Sequence, residues 1–255
     1  MHIVVALRLT PDLTGDIELT SDGTDIDREW IDLKLNEFDD HALEEALLLR
    51  DSVGGRLTAL AMDQEGVDRQ LQMAIARGAD DALKISADGV PNPSPRAAAA
   101  SIAAAVRDLR PDLFVTGVQT PDDVTGQLAP LVGVHLGWPC VCAVSEMVSS
   151  APGITVRQEH GGGYTERLGV KLPAVIAVQS ASQPIRYVSG SKLREAVAHK
   201  IPMTTVNANN STETVTRVSI SIPHRSGGAE MLGKDAEAVA DRLLNILTER
   251  NLLKG

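Results

Sequence analysis

A parallel, twisted sheet with helices on both faces is the α/β fold class this sequence predicts, with a β-hairpin and an extended C-terminal arm added. Three observations carry it. Short apolar, β-rich runs alternate with segments of helical period before Pro139, and that rhythm means parallel strands covered on both faces, a Rossmann-like arrangement. The repeating unit is clearest at residues 113–117 (Leu-Phe-Val-Thr-Gly), which read as a buried strand. A polar turn follows, and then Leu128, Leu131, Val132, His135 and Leu136 mark one face of a helix. Beyond Pro139 the rhythm gives way to a hairpin pattern and a polar tail.

With 255 residues, the chain forms one large domain, or one domain with an appendage, and buries a real core. We place an α/β domain over residues 1–206 and a C-terminal arm over residues 207–255. Aromatics are scarce (two each of Trp, Tyr and Phe) and the net charge is -10, which argues against base-stacking platforms and an electrostatic grip on nucleic acid. No apolar run is long enough to span a bilayer and no charged-then-apolar export signal opens the chain, so a cytoplasmic location is expected. Cys140 and Cys142, two apart in a strand-like run, would share one sheet face. A disulfide between them would be strained and a metal site would need more ligands nearby, so they read as packing residues.

The elements follow in order. Residues 2–7 (His-Ile-Val-Val-Ala-Leu) form the first buried strand. Residues 8–35 hold no convincing helix; Ser21-Asp22-Gly23 is a hairpin turn signal in a connection that reads as functional or as solvated surface. Asn36-Glu37-Phe38-Asp39 opens the first helix, with Asn36 as N-cap and Asp39 as its capping-box partner. Leu43, Ala46, Leu47 and Arg50 follow at helical spacing, and Glu44 and Glu45 lie near the positive end of the helix dipole. Residues 57–62 are the second strand, 67–77 a helix stopped by Gly78, and 81–85 the third strand. Pro91, Pro93 and Pro95 break the chain before an alanine-rich helix over 96–109. Residues 154–159, the turn His160-Gly161-Gly162-Gly163 and residues 164–170 read as the hairpin, and 174–178 as another buried strand. Residues 191–199 form a short helix, where Lys192, Arg194, His199 and Lys200 make a basic patch. Residues 207–214 are a polar linker, 215–222 a strand, and 235–251 an amphipathic helix with Val239, Leu243, Leu244 and Leu247 on its apolar face. This tail docks either on a partner or on its own domain.

A strand order of 3-2-1-4-5 would place the topological switch between the first and fourth strands, where ligands sit beyond the carboxyl ends. Ala6, the helix start at Asn36, Met62 and the loop from Gly117 to Leu128 then surround one crevice. Amides at the helix start near Thr125 or Gly126, one on a residue without a Cβ, can cradle a phosphate. Catalytic machinery is not evident. The six histidines make no metal-ligand spacing with one another or with Cys, so no metal is expected; His135 reads as a core or pocket residue. There is no nucleophile elbow, Walker lysine loop or dinucleotide glycine fingerprint after the first strand. Asp122 and Asp123 read as solvated or helix-capping carboxylates rather than an acid/base pair.

Several segments, taken in order, resemble the β subunit of electron-transfer flavoprotein along nearly the whole chain. They are Val5-Ala6-Leu7-Arg8; Asn36-Glu37-Phe38-Asp39 with Ala42-Leu43-Glu44-Glu45-Ala46; and Ala76-Arg77-Gly78-Ala79-Asp80. Gly117-Val118-Gln119 with Asp122, Thr125, Gln127 and Pro130 is similar to the family's signature, and Lys171-Leu172-Pro173-Ala174-Val175 and Arg186-Tyr187 follow. The resemblance implies a heterodimer with an α subunit that holds most of an FAD. The flavin takes electrons from dehydrogenases and passes them to a quinone-linked or other acceptor, so the chain is an electron-carrier subunit rather than a conventional enzyme. It also implies AMP in the β crevice, lined by Ala6, Asn36, Glu37, Phe38, Asp39, Met62, Gly117, Gln119, Asp122, Thr125, Gly126, Gln127 and Leu128. Gly126, Gln127 and Leu128 would offer amides to its phosphate. The loop after Arg8 and the Phe38 region would approach the flavin, and the tail would embrace the α subunit.

The chain departs from the family pattern at Val118 (usually Lys), Val124 (usually Asp), Glu37 (commonly Pro) and Leu13, where some relatives carry an aromatic. Tyr187-Val188-Ser189-Gly190-Ser191-Lys192 stands where a Leu-Pro-Asn loop docks acyl-CoA dehydrogenases. Gly190 and Ser191 cannot fill an apolar pocket as a leucine does, at ~2 kcal/mol when buried, which implies another donor or other docking contacts. The alternatives are an electron-bifurcating subunit with a second FAD in the crevice, a stand-alone adenine-nucleotide-binding domain, and a docking scaffold with an empty crevice. The stand-alone class often carries a Ser-Gly-Gly phosphate loop after the first strand, which Ala6-Leu7-Arg8-Leu9-Thr10 does not reproduce.

Overall fold

Successive side chains of a strand point to opposite faces, and in β1 (His2–Ala6) the consequence is two cores: Ile3 and Val5 enter one, Val4 and Ala6 the other. The computed structural model describes residues 1–15, 17–27, 29, 31–87, 94–121, 123, 125–206, 218–223, 229 and 231–253. After β1 come β2 (Leu9–Pro11), β3 (Leu33–Leu35), α1 (Glu37–Val53), β4 (Arg56–Met62), α2 (Val67–Arg77), β5 (Asp81–Ala87) and α3 (Pro95–Leu109). Then follow β6 (Leu113–Gly117), α4 (Leu128–Leu136), β7 (Cys140–Ser150), β8 (Gly153–Glu159), β9 (Thr165–Val170) and β10 (Ala174–Val178). The last are α5 (Gly190–Val197), β11 (Met203–Val206) and α6 (Ala236–Glu249).

The main sheet has nine strands in the order β11-β5-β4-β1-β6-β10-β7-β8-β9. It is parallel from β11 through β7 and antiparallel across β7, β8 and β9. The expected 3-2-1-4 succession is present as β5-β4-β1-β6, with β10 as the fifth strand. The hairpin is also present, joined to the sheet through β7. A separate antiparallel ribbon of β2 and β3 occupies part of the long first connection, and an isolated bridge pairs Leu19 with Ile26 around the Ser21-Asp22-Gly23 turn.

One core packs Leu43, Ala46 and Leu47 of α1 and Leu71 and Ala74 of α2 on the sheet; the other packs Ala99, Ile102, Ala103 and Val106 of α3 and Leu128, Ala129 and Val132 of α4. The alanines of α3 let it lie close to its neighbours, and Ser94 caps it by accepting the Ala97 amide at 3.1 Å. The chain divides into two units, Met1–Val218 and Ser219–Gly255. Residues 207–214, expected as a linker, lie outside the described residues, as do 215–217; residues 218–222 form no strand, contrary to expectation. In the second unit α6 is capped by the Asp235 side chain and buries none of its residues.

Candidate functional site

The site is built where β1, α1 and β6 meet at the carboxyl end of the sheet. Arg8 lies just past β1 and sends Nε to Asp39 Oδ2 at 2.8 Å and Nη2 to Asp39 Oδ1 at 2.7 Å. Asp39 is fully buried and also accepts the Arg8 amide at 2.9 Å and the Gly117 amide at 2.7 Å. The same Arg8 Nη2 donates to the Gly117 carbonyl at 2.9 Å. Asn36 Nδ2 donates to the Gln119 carbonyl at 2.9 Å, and its own amide donates to the Arg8 carbonyl. One carboxylate thus ties together a strand end, a helix start and the entry to the loop after β6.

These bonds correct the capping-box expectation. Asn36 does occupy the N-cap position of α1, but no side-chain cap bond forms. A guanidinium with two N–H groups aimed at Asp39 outcompetes a neutral amide as its partner, and Asn36 is drawn to the loop instead. Glu44 and Glu45 likewise do more than complement the helix dipole. Glu45, fully buried, accepts the Met147 amide at 2.6 Å and the Ser182 amide and hydroxyl at 2.8 and 2.7 Å. Glu44 receives the Arg186 amide and Nε at 3.0 and 2.9 Å. Burial of Arg186 works against its charge, but hydrogen bonds to Glu44 and Asp51 outweigh that and raise its pKa.

Gly117 ends β6 at a point where a Cβ would lie 2.5 Å from the Phe38 carbonyl carbon and 2.6 Å from Asp39 Oδ1. Only a glycine lets α1 approach this closely. Past Gln119 the chain turns on Asp123, whose Oδ1 accepts the Thr125 hydroxyl at 3.0 Å and the Thr125 and Gly126 amides at 3.3 and 3.2 Å. Gly126 takes φ +58, and α4 starts two residues further on, at Leu128 with Gln127 as N-cap, close to the start expected near Thr125 or Gly126. The Gly126 amide is therefore committed within the loop. Gln127 makes no side-chain cap bond, and the first-turn amides of a helix have no acceptor within the helix itself.

Of the predicted site residues, Asn36, Asp39, Gly117 and Gln119 are joined directly by hydrogen bonds. Ala6 and Leu128 are buried in the second core, and Met62 packs against it together with Val118. Phe38 is half-buried with its backbone against Gly117, while Glu37, Thr125 and Gln127 are exposed. Asp122 and Val124 lie outside the described residues. Arg8 was not among the predicted site residues; its partner Asp39 lies 31 positions further along the chain, and no local pattern in the sequence pairs the two. Among the described residues no group of three or more His, Cys, Asp or Glu is arranged to hold a metal.

Comparison with known proteins agrees with this architecture. A family profile described as electron transfer flavoprotein domain matches residues 25–210. The chain is 26% identical to the electron transfer flavoprotein subunit beta of Methylophilus methylotrophus over 261 aligned positions, covering 98% of each chain. It is 31% identical to the subunit of that name from Clostridium acetobutylicum, over 81% of this chain and 79% of the relative. An acryloyl-CoA reductase electron transfer subunit gamma from Anaerotignum propionicum is 27% identical over 99% of this chain and 100% of the relative. With a matched region of this extent, the chain belongs to the electron transfer flavoprotein family, on the side of its β subunits.

Proposed function

We propose that this chain is the β subunit of a cytoplasmic, heterodimeric electron-transfer flavoprotein, and that its crevice binds AMP while an α partner holds most of an FAD. The observation that carries the crevice reading is the Arg8–Asp39–Gly117 junction. It fixes Ala6, Phe38 and the loop from Gly117 at the carboxyl ends of β1 and β6, the parallel strand pair at which the order of strands reverses. The residues present fit a phosphate: α4 opens without a side-chain cap, so its leading amides remain available to an anion. When bound, the FAD supplies the electron-carrying chemistry. This chain's own part is to hold the nucleotide, order the loop after Arg8 and present partner surfaces.

In this reading the region near Tyr187, Gly190 and Lys192 meets the electron donor, and residues 207–255 embrace the α subunit. Tyr187 is 92% exposed although its neighbour Arg186 is pinned to buried Glu44, so an aromatic is presented on a well-anchored segment. Among the described residues no helix is long and apolar enough to cross a membrane.

The test is to purify the chain with and without its α partner, denature both preparations and identify the released nucleotides by mass. AMP from this chain and one FAD per heterodimer is the expected result. Two FAD per heterodimer without AMP would replace it with a bifurcating subunit, and no nucleotide in either preparation would overturn the crevice reading.

A further inference from the structure

We propose that Cys140 and Cys142 are a peroxide-oxidisable dithiol that closes reversibly to a disulfide, with Cys142 as the sulfur that reacts first. They are the two cysteines of the chain, and both are free. On a regular strand, residues two apart share a face with their Cα atoms roughly 7 Å apart, at the limit of what a disulfide spans. β7 is not regular here. Val141 pairs with Ile176 and Val144 with Val178, so Cys142 and Ala143 together oppose the single residue Ala177. Ala143 also takes φ +58. A bulge of this kind takes its extra residue out of the ladder and re-aims the side chain. The sulfurs lie 3.8 Å apart, and a covalent bond needs a closure of about 1.8 Å more, to about 2.05 Å. Because the bulge carries no ladder position of its own, that closure does not require the sheet to break.

The contact between the sulfurs is a thiol–thiol hydrogen bond, and it makes the two unequal. The Cys140 S–H favours the Cys142 thiolate and lowers its pKa, although burial works the other way. The same bond, together with burial, keeps Cys140 protonated. The thiolate is the nucleophile, so Cys142 attacks an oxygen of hydrogen peroxide. The O–O bond breaks, Cys142 becomes a sulfenic acid, and the departing hydroxide takes a proton from solvent to become water. With the thiolate gone, Cys140 no longer has an anion to donate to. Its sulfur attacks the Cys142 sulfur, the S–O bond breaks, and the Cys140 proton leaves with the hydroxyl as a second water. Two thiols have lost two electrons and two hydrogens, and the peroxide is reduced to two waters. Both residues are half-buried at the margin of the second core, where a small oxidant reaches them. Gly133 of α4 leaves room for Cys140, since a Cβ there would lie 3.1 Å from the Cys140 Cβ. Gln158 of β8 anchors the Cys142 carbonyl at 3.0 Å. Strain left in so short a ring makes the product easy to reduce.

The experiment treats the reduced full chain with hydrogen peroxide, then denatures it and reads intact mass and iodoacetamide labelling. The expected product is two hydrogens lighter, takes no alkyl group, stays a single chain without reductant, and regains two alkylation sites with dithiothreitol. Cys140→Ser should stop at the sulfenic acid of Cys142, trapped as a dimedone adduct. Cys142→Ser and Cys142→Ala should react with peroxide roughly tenfold more slowly or less, since the protonated thiol that remains is a poor nucleophile. Circular dichroism of the variants separates a lost reaction from a lost fold, and the mass of the unsubstituted chain decides the case by itself if a variant does not fold. Oxygen added to sulfur without the two-hydrogen loss, disulfide-linked dimers, or a folded Cys142 variant that reacts as fast as the parent would overturn the proposal.

Discussion

Asp39 shows how a single side chain can be identified from sequence yet given the wrong task. Its place three residues after Asn36 points to a cap, but its carboxylate is fully buried and shared by Arg8 and the Gly117 amide. Breaking a buried pair strands the remaining charge, at a cost of about 3–5 kcal/mol. Arg8→Ala is therefore expected to lower the unfolding free energy from urea denaturation by that order, seen as a lower midpoint with unchanged slope; a loss below ~1 kcal/mol would mean that water replaces the guanidinium freely. Gly117 gives a second test. Gly117→Ala places a methyl group 2.5 Å from the Phe38 carbonyl carbon, while nothing lies within 4 Å of a Cβ added at Gly169. The first should cost on the order of 2–3 kcal/mol by overpacking, the second almost nothing. Equal thermal shifts in the two variants would refute the close approach. The crevice reading set the start of α1 beside Gly117, but the Arg8 partner of Asp39 was not legible, because the fold brings the two together across 31 positions of chain. No local pattern encodes that.

At the level of elements, α1 is the part to which other segments attach. Its second turn presents Glu44 and Glu45 inward, to the 182–186 segment and to β7. Glu45→Ala leaves the Met147 amide, the Ser182 amide and the Ser182 hydroxyl without this acceptor; we expect a loss on the order of 3 kcal/mol. Hydrogen exchange at the Met147 and Ser182 amides should accelerate together, and Glu45→Gln, which keeps one acceptor oxygen, should lose less. Exchange unchanged at both amides would show that the carboxylate does not hold the two segments. The long strands and helices were readable because each carries its own burial pattern. β2, β3 and β11 were not, since three- and four-residue strands are set by what they pair with. The start of α4 was readable only to within a few residues for a related reason: Asp123 captures two amides and Gly126 takes a positive φ, which ends the turn before the helix begins.

For the whole molecule, the order β5-β4-β1-β6 brings the first and fourth strands of the sequence reading side by side, and the crevice follows from that adjacency. The alternation of apolar runs made this topology legible. The fate of the tail was not, because an amphipathic helix looks the same whether its apolar stripe meets its own domain or another chain. Met1–Val218 contains the whole sheet and both cores, while α6 in Ser219–Gly255 buries none of its residues and leaves Leu243 and Leu244 46% and 52% exposed. A stripe this open gains its stabilisation only when covered, at about 25 cal/mol for each Å² of apolar surface removed from water. Deleting residues 219–255 should therefore leave the melting temperature of the isolated chain within a few degrees of the full-length value. The same deletion should abolish co-purification with the α subunit, because the arm is the surface this reading assigns to it. A large fall in melting temperature with the α interaction intact would reverse the assignment. The helix would then belong to its own domain, and the α subunit would have to dock elsewhere, with the exposed Tyr187 region as the next surface to test.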